Sequence, residues 1–167
     1  MAQADILKNL NLFVDGRGQA GKIEEFTPPK LTIKTEGFRA GGMDTEAKHD
    51  MGMEPLEASA TLQSYDAQLF KLFGLTKGSN HPLTGRGAID RDGTIVPVLI
   101  NMRGTLTEID QGSWKPGDKG AVKLKWELTY FKQSIDGAVV HEIDVENMIR
   151  IIDGTDQLAD QRAAIGI

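Results

Sequence analysis

Val122-Lys123-Leu124-Lys125-Trp126-Glu127-Leu128-Thr129-Tyr130 alternates apolar and polar residues without a break. A period of two puts every second side chain on the same face of a pleated strand, so one face meets a core and the other meets water. A helix would carry the same residues round to all sides. The stretch predicts a half-buried antiparallel strand, with Val122, Leu124, Trp126, Leu128 and Tyr130 on the inward face. Asp136-Gly137 follows, and Asp-Gly suits a tight turn that needs positive φ. Residues 123–135 and 139–152 on its two sides predict a long hairpin.

The same period recurs on both sides of this hairpin. Leu56, Ala58, Ala60 and Leu62 alternate with Glu57, Ser59, Thr61 and Gln63, and Leu31 and Ile33 alternate with Thr32 and Lys34. Residues 95–109 predict a further long strand, with Pro97 near its start, where a missing donor does least harm. Asp15-Gly16, Asp92-Gly93 and Asp153-Gly154 mark three more turns. Two helices are expected. One covers residues 66–73 with Leu69, Phe70, Leu72 and Phe73 apolar and Gly74 closing it. The other runs from a Thr155 cap through Ala164, with Asp156 in its first turn. The sum is a mainly β, antiparallel chain read as a single domain over residues 1–167, with a short flanking helix and a C-terminal helix. Trp126 and Leu128 belong to its core.

Residues 36–55 break the pattern. They hold four glycines, Met43, Met51 and Met53, and no strong period. So long a segment inside a compact domain is usually functional, and methionine suits adaptable contact surfaces. It reads as an extended arm that docks on another subunit, with Phe38, Arg39, Met43, Met51 and Met53 as the candidate contact residues.

Composition narrows the rest. At 167 residues, with 40% apolar and 26% charged residues, the chain can bury a core without staples. It has no cysteine, which removes disulfides, thiolate chemistry and Cys-based zinc sites. No apolar run nears the roughly 20 residues of a membrane span. Met1-Ala2-Gln3-Ala4-Asp5 does not read as a secretory signal. The net charge of −5 and the absence of a Lys/Arg cluster argue against tight nucleic-acid binding.

No catalytic, cofactor or metal residues are assigned. Gly16-Arg17-Gly18-Gln19-Ala20-Gly21 matches a dinucleotide fingerprint, but that fingerprint must open a helix. Pro28-Pro29 follows too soon, so a glycine-rich turn is expected. His49, His81 and His141 are scattered, without metal-ligand spacing, and read as surface or rim residues. Asp90, Asp92 and Gly93 resemble part of a calcium loop that lacks its closing Glu, so they too read as a turn. No serine sits in a G-x-S-x-G context. The chain reads as structural and not as an enzyme.

Four stretches, in order, carry a family resemblance. They are Asn11-Leu12-Phe13-Val14-Asp15-Gly16; Pro29-Lys30-Leu31 through Thr35-Glu36 into Arg39-Ala40-Gly41-Gly42-Met43-Asp44; Met102-Arg103-Gly104 with Glu108-Ile109-Asp110; and Thr129-Tyr130-Phe131-Lys132 with Ile135-Asp136-Gly137, Glu142-Ile143-Asp144, Asn147-Met148, and Gly154 with Asp156-Gln157-Leu158. Together they resemble the major tail tube protein of contractile-tailed bacteriophages, including the tube of R-type bacteriocins. The resemblance implies an antiparallel β-sandwich or barrel-like subunit with a flanking helix, and six-fold rings of it stacked into a hollow tube inside a contractile sheath, a conduit for DNA or for membrane puncture. The implied partners are the chain itself, tail sheath, baseplate, tape measure and tail terminator proteins, and passing DNA held without tight binding. The implied location is a virion or phage-tail-like particle assembled in the bacterial cytoplasm. Candidate lumen-facing residues are Glu57, Ser59, Thr61, Arg103, Lys125 and Glu127, although strand parity alone does not say which face sees the lumen. A type VI secretion tube, a small-ligand-binding β-barrel and a nucleotide-binding enzyme stand as alternatives.

Overall fold

The computed structural model describes residues 4–167. In chain order the elements are β1 (Ile6–Val14), β2 (Arg17–Gly18), β3 (Ile23–Thr27), β4 (Ile33–Phe38), β5 (Ala47–Met53), β6 (Leu56–Leu62), α1 (Ala67–Phe70), β7 (His81–Arg91), β8 (Thr94–Asp110), β9 (Val122–Ile135), β10 (Ala138–Asp144), β11 (Ile149–Ile152), β12 (Thr155–Asp156) and α2 (Ala159–Ile165). The architecture is mainly antiparallel β, as the alternation predicts. Ten strands share one sheet, ordered β12-β11-β10-β9-β8-β7-β1-β2. β6 pairs with the first half of β9, and β3 pairs with β6.

All four Asp-Gly pairs form turns with positive φ at both residues, near 50° at each Asp and near 78° at each Gly. This is the geometry that continues the strand twist through a two-residue loop. Gly16 to Gly21 lead into the two-residue strand β2 and a second turn, with no helix.

β9 is the centre of the molecule. It pairs with β8 along nearly its whole length, while β6 and β10 divide its other edge. Phe26 on β3 lies over Gly85 of β7, 3.0 Å from where a Cβ would stand, so the sheet curls back on itself. Trp126, with no exposed surface, sits inside among Leu12, Leu62, Leu83, Leu106 and Leu124.

Several expectations need correction. Tyr130 does not continue the inward face. The β8–β9 register shifts at Thr129, so Arg103 faces Tyr130 while Gly104 faces Leu128. One extra residue flips every later side chain, and Phe131 takes the core position instead. Residues 139–152 form two strands, because the chain turns at 145–148, where Met148 has φ 53°. The first helix shrinks to α1, capped by Asp66 accepting from the Gln68 amide; Leu69 is buried but Phe73 is exposed. Thr155 caps nothing: it pairs with Ile152 in β12, and α2 starts at Ala159. Leu31 packs on the core, yet Ile33 opens an exposed strand. The segment 36–55 is itself ordered: β4 and β5 form a separate two-stranded hairpin.

Gly104 lies beside the bulge because nothing larger fits. A Cβ there would stand 2.5 Å from the Glu127 carbonyl oxygen and 2.7 Å from Leu128 Cδ2. Gly104→Ala is expected to destabilise by about 1–3 kcal/mol through overpacking. Gly41→Ala, where the added Cβ meets open space, should stay within about 0.5 kcal/mol of the parent. Urea unfolding of the two variants checks the contrast.

Candidate functional site

The expected contact residues lie on the β4–β5 hairpin. Strand β4 is exposed along its length, and β5 is exposed up to Met53. Phe38 is 58% exposed and its ring stands 6.4 Å from that of His49; Met51 is exposed nearby. Arg39 and Met43 belong to the tip. Arg39 Nε donates to the Met43 carbonyl, and the Ala40 amide donates to Met43 Sδ. Met53 differs from the other four, since it turns toward the body and packs against the core.

An ion pair ties this hairpin to the body. Arg150, paired opposite buried Ile143, sends its guanidinium to Asp50 on β5, 100 residues away in sequence. Asp50 also accepts from the Gly52 amide, and that bond, then Arg150, holds its carboxyl below the ordinary aspartate range. Nearby, Asp156 pairs with Arg162 and accepts from the Leu158 amide, which lowers its carboxyl in the same way. Sequence reasoning missed Arg150. The available signal was a cation inside the apolar run Ile149-Arg150-Ile151-Ile152.

The six candidate lumen residues come together on one face. Glu57 lies opposite Glu127, Ser59 opposite Lys125 and Thr61 opposite Lys123. Thr105 faces Glu127, and Arg103, two residues before it, shares that side. This is the face turned away from Trp126. Both signs of charge are mixed on it: Lys125 pairs with Glu57 at 3.2 Å and lies opposite Glu108, and Lys123 lies opposite Asp110. Higher up, Tyr130 donates to Glu142, and burial followed by that carboxylate pushes the phenol up to about 12.

The remaining motifs form no reactive cluster. His49 is exposed on the hairpin, while His81 and His141 are partly buried at the start of β7 and within β10. Asp90 accepts from the Gly93 amide and pairs with Lys8, as a turn residue does. Among the described residues no group of three or more His, Asp or Glu side chains is placed to hold a metal. β2 covers only Phe13 and Val14 of β1, so residues 6–11 form a free sheet edge among the described residues.

A curled sheet with a free edge along β1 and a projecting, partly apolar hairpin defines a structural β-protein that works through its surfaces. Comparison with known proteins places it further. The family model for phage tail tube protein FII matches residues 4–166. The chain is 35% identical to the tail tube protein of Escherichia phage P2, covering 100% of both chains. It is 34% identical to the major tail tube protein of Serratia phage KSP20, covering 96% of this chain and 95% of that one. Two solved structures share the fold at low identity. One is from the sheath–tube complex of the PVC extracellular contractile injection system in its extended state, with TM-score 0.58, 10% identity, and 75% and 87% of the two chains covered. The other is from the sheath/tube terminator of the same system, with TM-score 0.61, 12% identity, and 76% and 94% covered. The chain belongs to the phage tail tube protein family. It is a structural subunit of a contractile tail, a virion or tail-like particle component and not an enzyme.

Proposed function

We propose that copies of this chain close into six-fold rings that stack into the hollow inner tube of a contractile tail. The hairpin carries the reading: β4 and β5 expose Ile33, Phe38 and Met51 on a ribbon that has no second layer of its own. A two-stranded ribbon is marginal by itself, and exposed apolar residues on it are a surface to be covered. In this reading residues 1–167 act as one tube unit, and the 36–55 arm contacts the next subunit through Phe38, Arg39, Met43 and Met51, while Met53 anchors the arm on its own core. The free edge of β1 supplies a second contact, since ring closure removes edges.

The face bearing Glu57, Ser59, Thr61, Arg103, Lys125 and Glu127 lines the channel. Each lysine there lies beside or opposite a carboxylate. Such a surface carries little net field and lets DNA slide without gripping phosphate. Sheath and terminator proteins are among the partners in this reading, supported by the two similar structures, which are named for a sheath–tube complex and a sheath/tube terminator. Baseplate and tape measure proteins complete the partners, and assembly takes place in the bacterial cytoplasm. The tube conducts DNA in a phage or punctures a membrane in a tail-like particle.

Negative-stain imaging of concentrated protein, alone and with baseplate seeds, tests this. Tubes of one diameter with six-fold end views are expected. A compact monomer under both conditions overturns it.

A further inference from the structure

Arg150 is 6% exposed, and its Nε–H is buried with no hydrogen-bond partner. A buried donor left unpaired is costly, so its position calls for an explanation. Arg150 lines a cleft of about 800 Å³ between the base of the hairpin and the C-terminal strands. Met51, Met53 and Met148 give the cleft an adaptable apolar lining. Its wall is also held in a strained form. Met148 has φ 53°, which a non-glycine residue rarely adopts, and Arg162 donates to its carbonyl at 2.7 Å. Four carboxylates, Asp50, Glu54, Glu127 and Asp144, line the cleft against two cations, Lys34 and Arg150.

The other end of the hairpin has the matching chemistry. Its tip is exposed but closed on itself by the Arg39–Met43 bond, the Ala40–Met43 sulfur contact and a Met43 amide bond to the Ala40 carbonyl. A preformed loop loses little entropy when it docks. It offers a thioether from Met43, a cation from Arg39 and a bare backbone at Gly41-Gly42, with the Asp44 carboxylate next. The tip cannot reach its own base: β4 has six residues, and at about 3.3 Å per residue it spans roughly 20 Å.

We propose that the hairpin tip of one copy plugs into this cleft on a second copy, and that an oxygen of its Gly41, Gly42 or Asp44 accepts the Arg150 Nε–H. Met43 enters among the cleft methionines, and Arg39 meets the carboxylate rim. Asp50 holds the guanidinium in place for the incoming oxygen. Plug and socket sit on different surfaces of one chain, so the contact is heterologous and propagates from copy to copy. The inference rests on the tube reading and specifies one of its interfaces.

The chain has no cysteine, so disulfide trapping is clean. Met43→Cys and Met148→Cys are purified separately, mixed under assembly conditions and oxidised. A cross-linked heterodimer within tubes is expected. Leu7→Cys and Ile165→Cys, at two other exposed apolar positions, each serve as a competing partner for Met148→Cys. Arg150→Lys keeps a cation for Asp50 but lacks the Nε–H. It should leave the monomer folded and weaken the cross-link about tenfold or more, the effect of losing a hydrogen bond to a charged group. Tubes without the Met43 cross-link, or a cross-link formed by Leu7→Cys or Ile165→Cys in its place, overturn the plug while leaving the tube reading intact. Failure of the parent chain to form any tube removes both.

Discussion

Trp126→Ala is expected to destabilise the subunit by about 3–5 kcal/mol, the range for emptying a large aromatic site in a core. Trp126 has no exposed surface and touches residues from several strands of the curled sheet, so the space it leaves cannot be filled by one neighbour moving. A domain of this size loses roughly 2–4 °C of Tm per kcal/mol, so a fall of about 10 °C is expected, with much of the protein unfolded on expression. Trp126→Phe should cost clearly less. The indole Nε1–H is buried without a partner, and phenylalanine removes that unpaired donor along with some volume. Urea unfolding followed by circular dichroism measures both. The other tryptophan, Trp114, is 76% exposed and gives a solvent-like emission against which loss of the buried signal can be read. An unchanged melting temperature in Trp126→Ala would show that the inward face of β9 is not the core.

The second large effect concerns assembly with the fold left intact. Replacing residues 37–48 by a two-residue Asn-Gly turn should abolish tube growth while moving the melting temperature little. The deletion keeps Asp50 for Arg150 and keeps Met53, which packs on the core. Everything removed is exposed or belongs to the tip. Met43→Ser with Met51→Ser should act in the same direction, since surface changes of this kind stay within about 0.5 kcal/mol in the monomer. Met53→Ser should instead lower stability by removing core contact. Thermal melting and electron microscopy on the same samples separate the two roles. Normal tubes from the shortened chain would sink the arm; loss of folding would move the hairpin into the core.

Much of this was legible in residues alone. Wherever a strand has one wet face, the period of two writes burial directly into sequence. The inward positions of β6 and the first half of β9 were therefore readable side chain by side chain. The four Asp-Gly turns were equally plain, because positive φ at two successive residues leaves few residue choices. The ordered motifs from Asn11 to Leu158 carried the family. A strand exposed on both faces has no such pattern, and for that reason β4 and β5 looked like an aperiodic arm.

Tertiary structure decided the remainder. The bulge at Thr129 leaves no local mark, since the alternation runs on to Tyr130; only the register against Gly104 of β8 turns Phe131 inward. Arg150 and Asp50 lie 100 residues apart, and neither sequence neighbourhood names the other. The shared face of Glu57, Arg103, Lys125 and Glu127 is likewise a product of strand pairing across three strands. Local sequence determines which way each side chain points from its own strand. Which strands lie beside one another is a long-range choice, made by the packing of the whole core around Trp126.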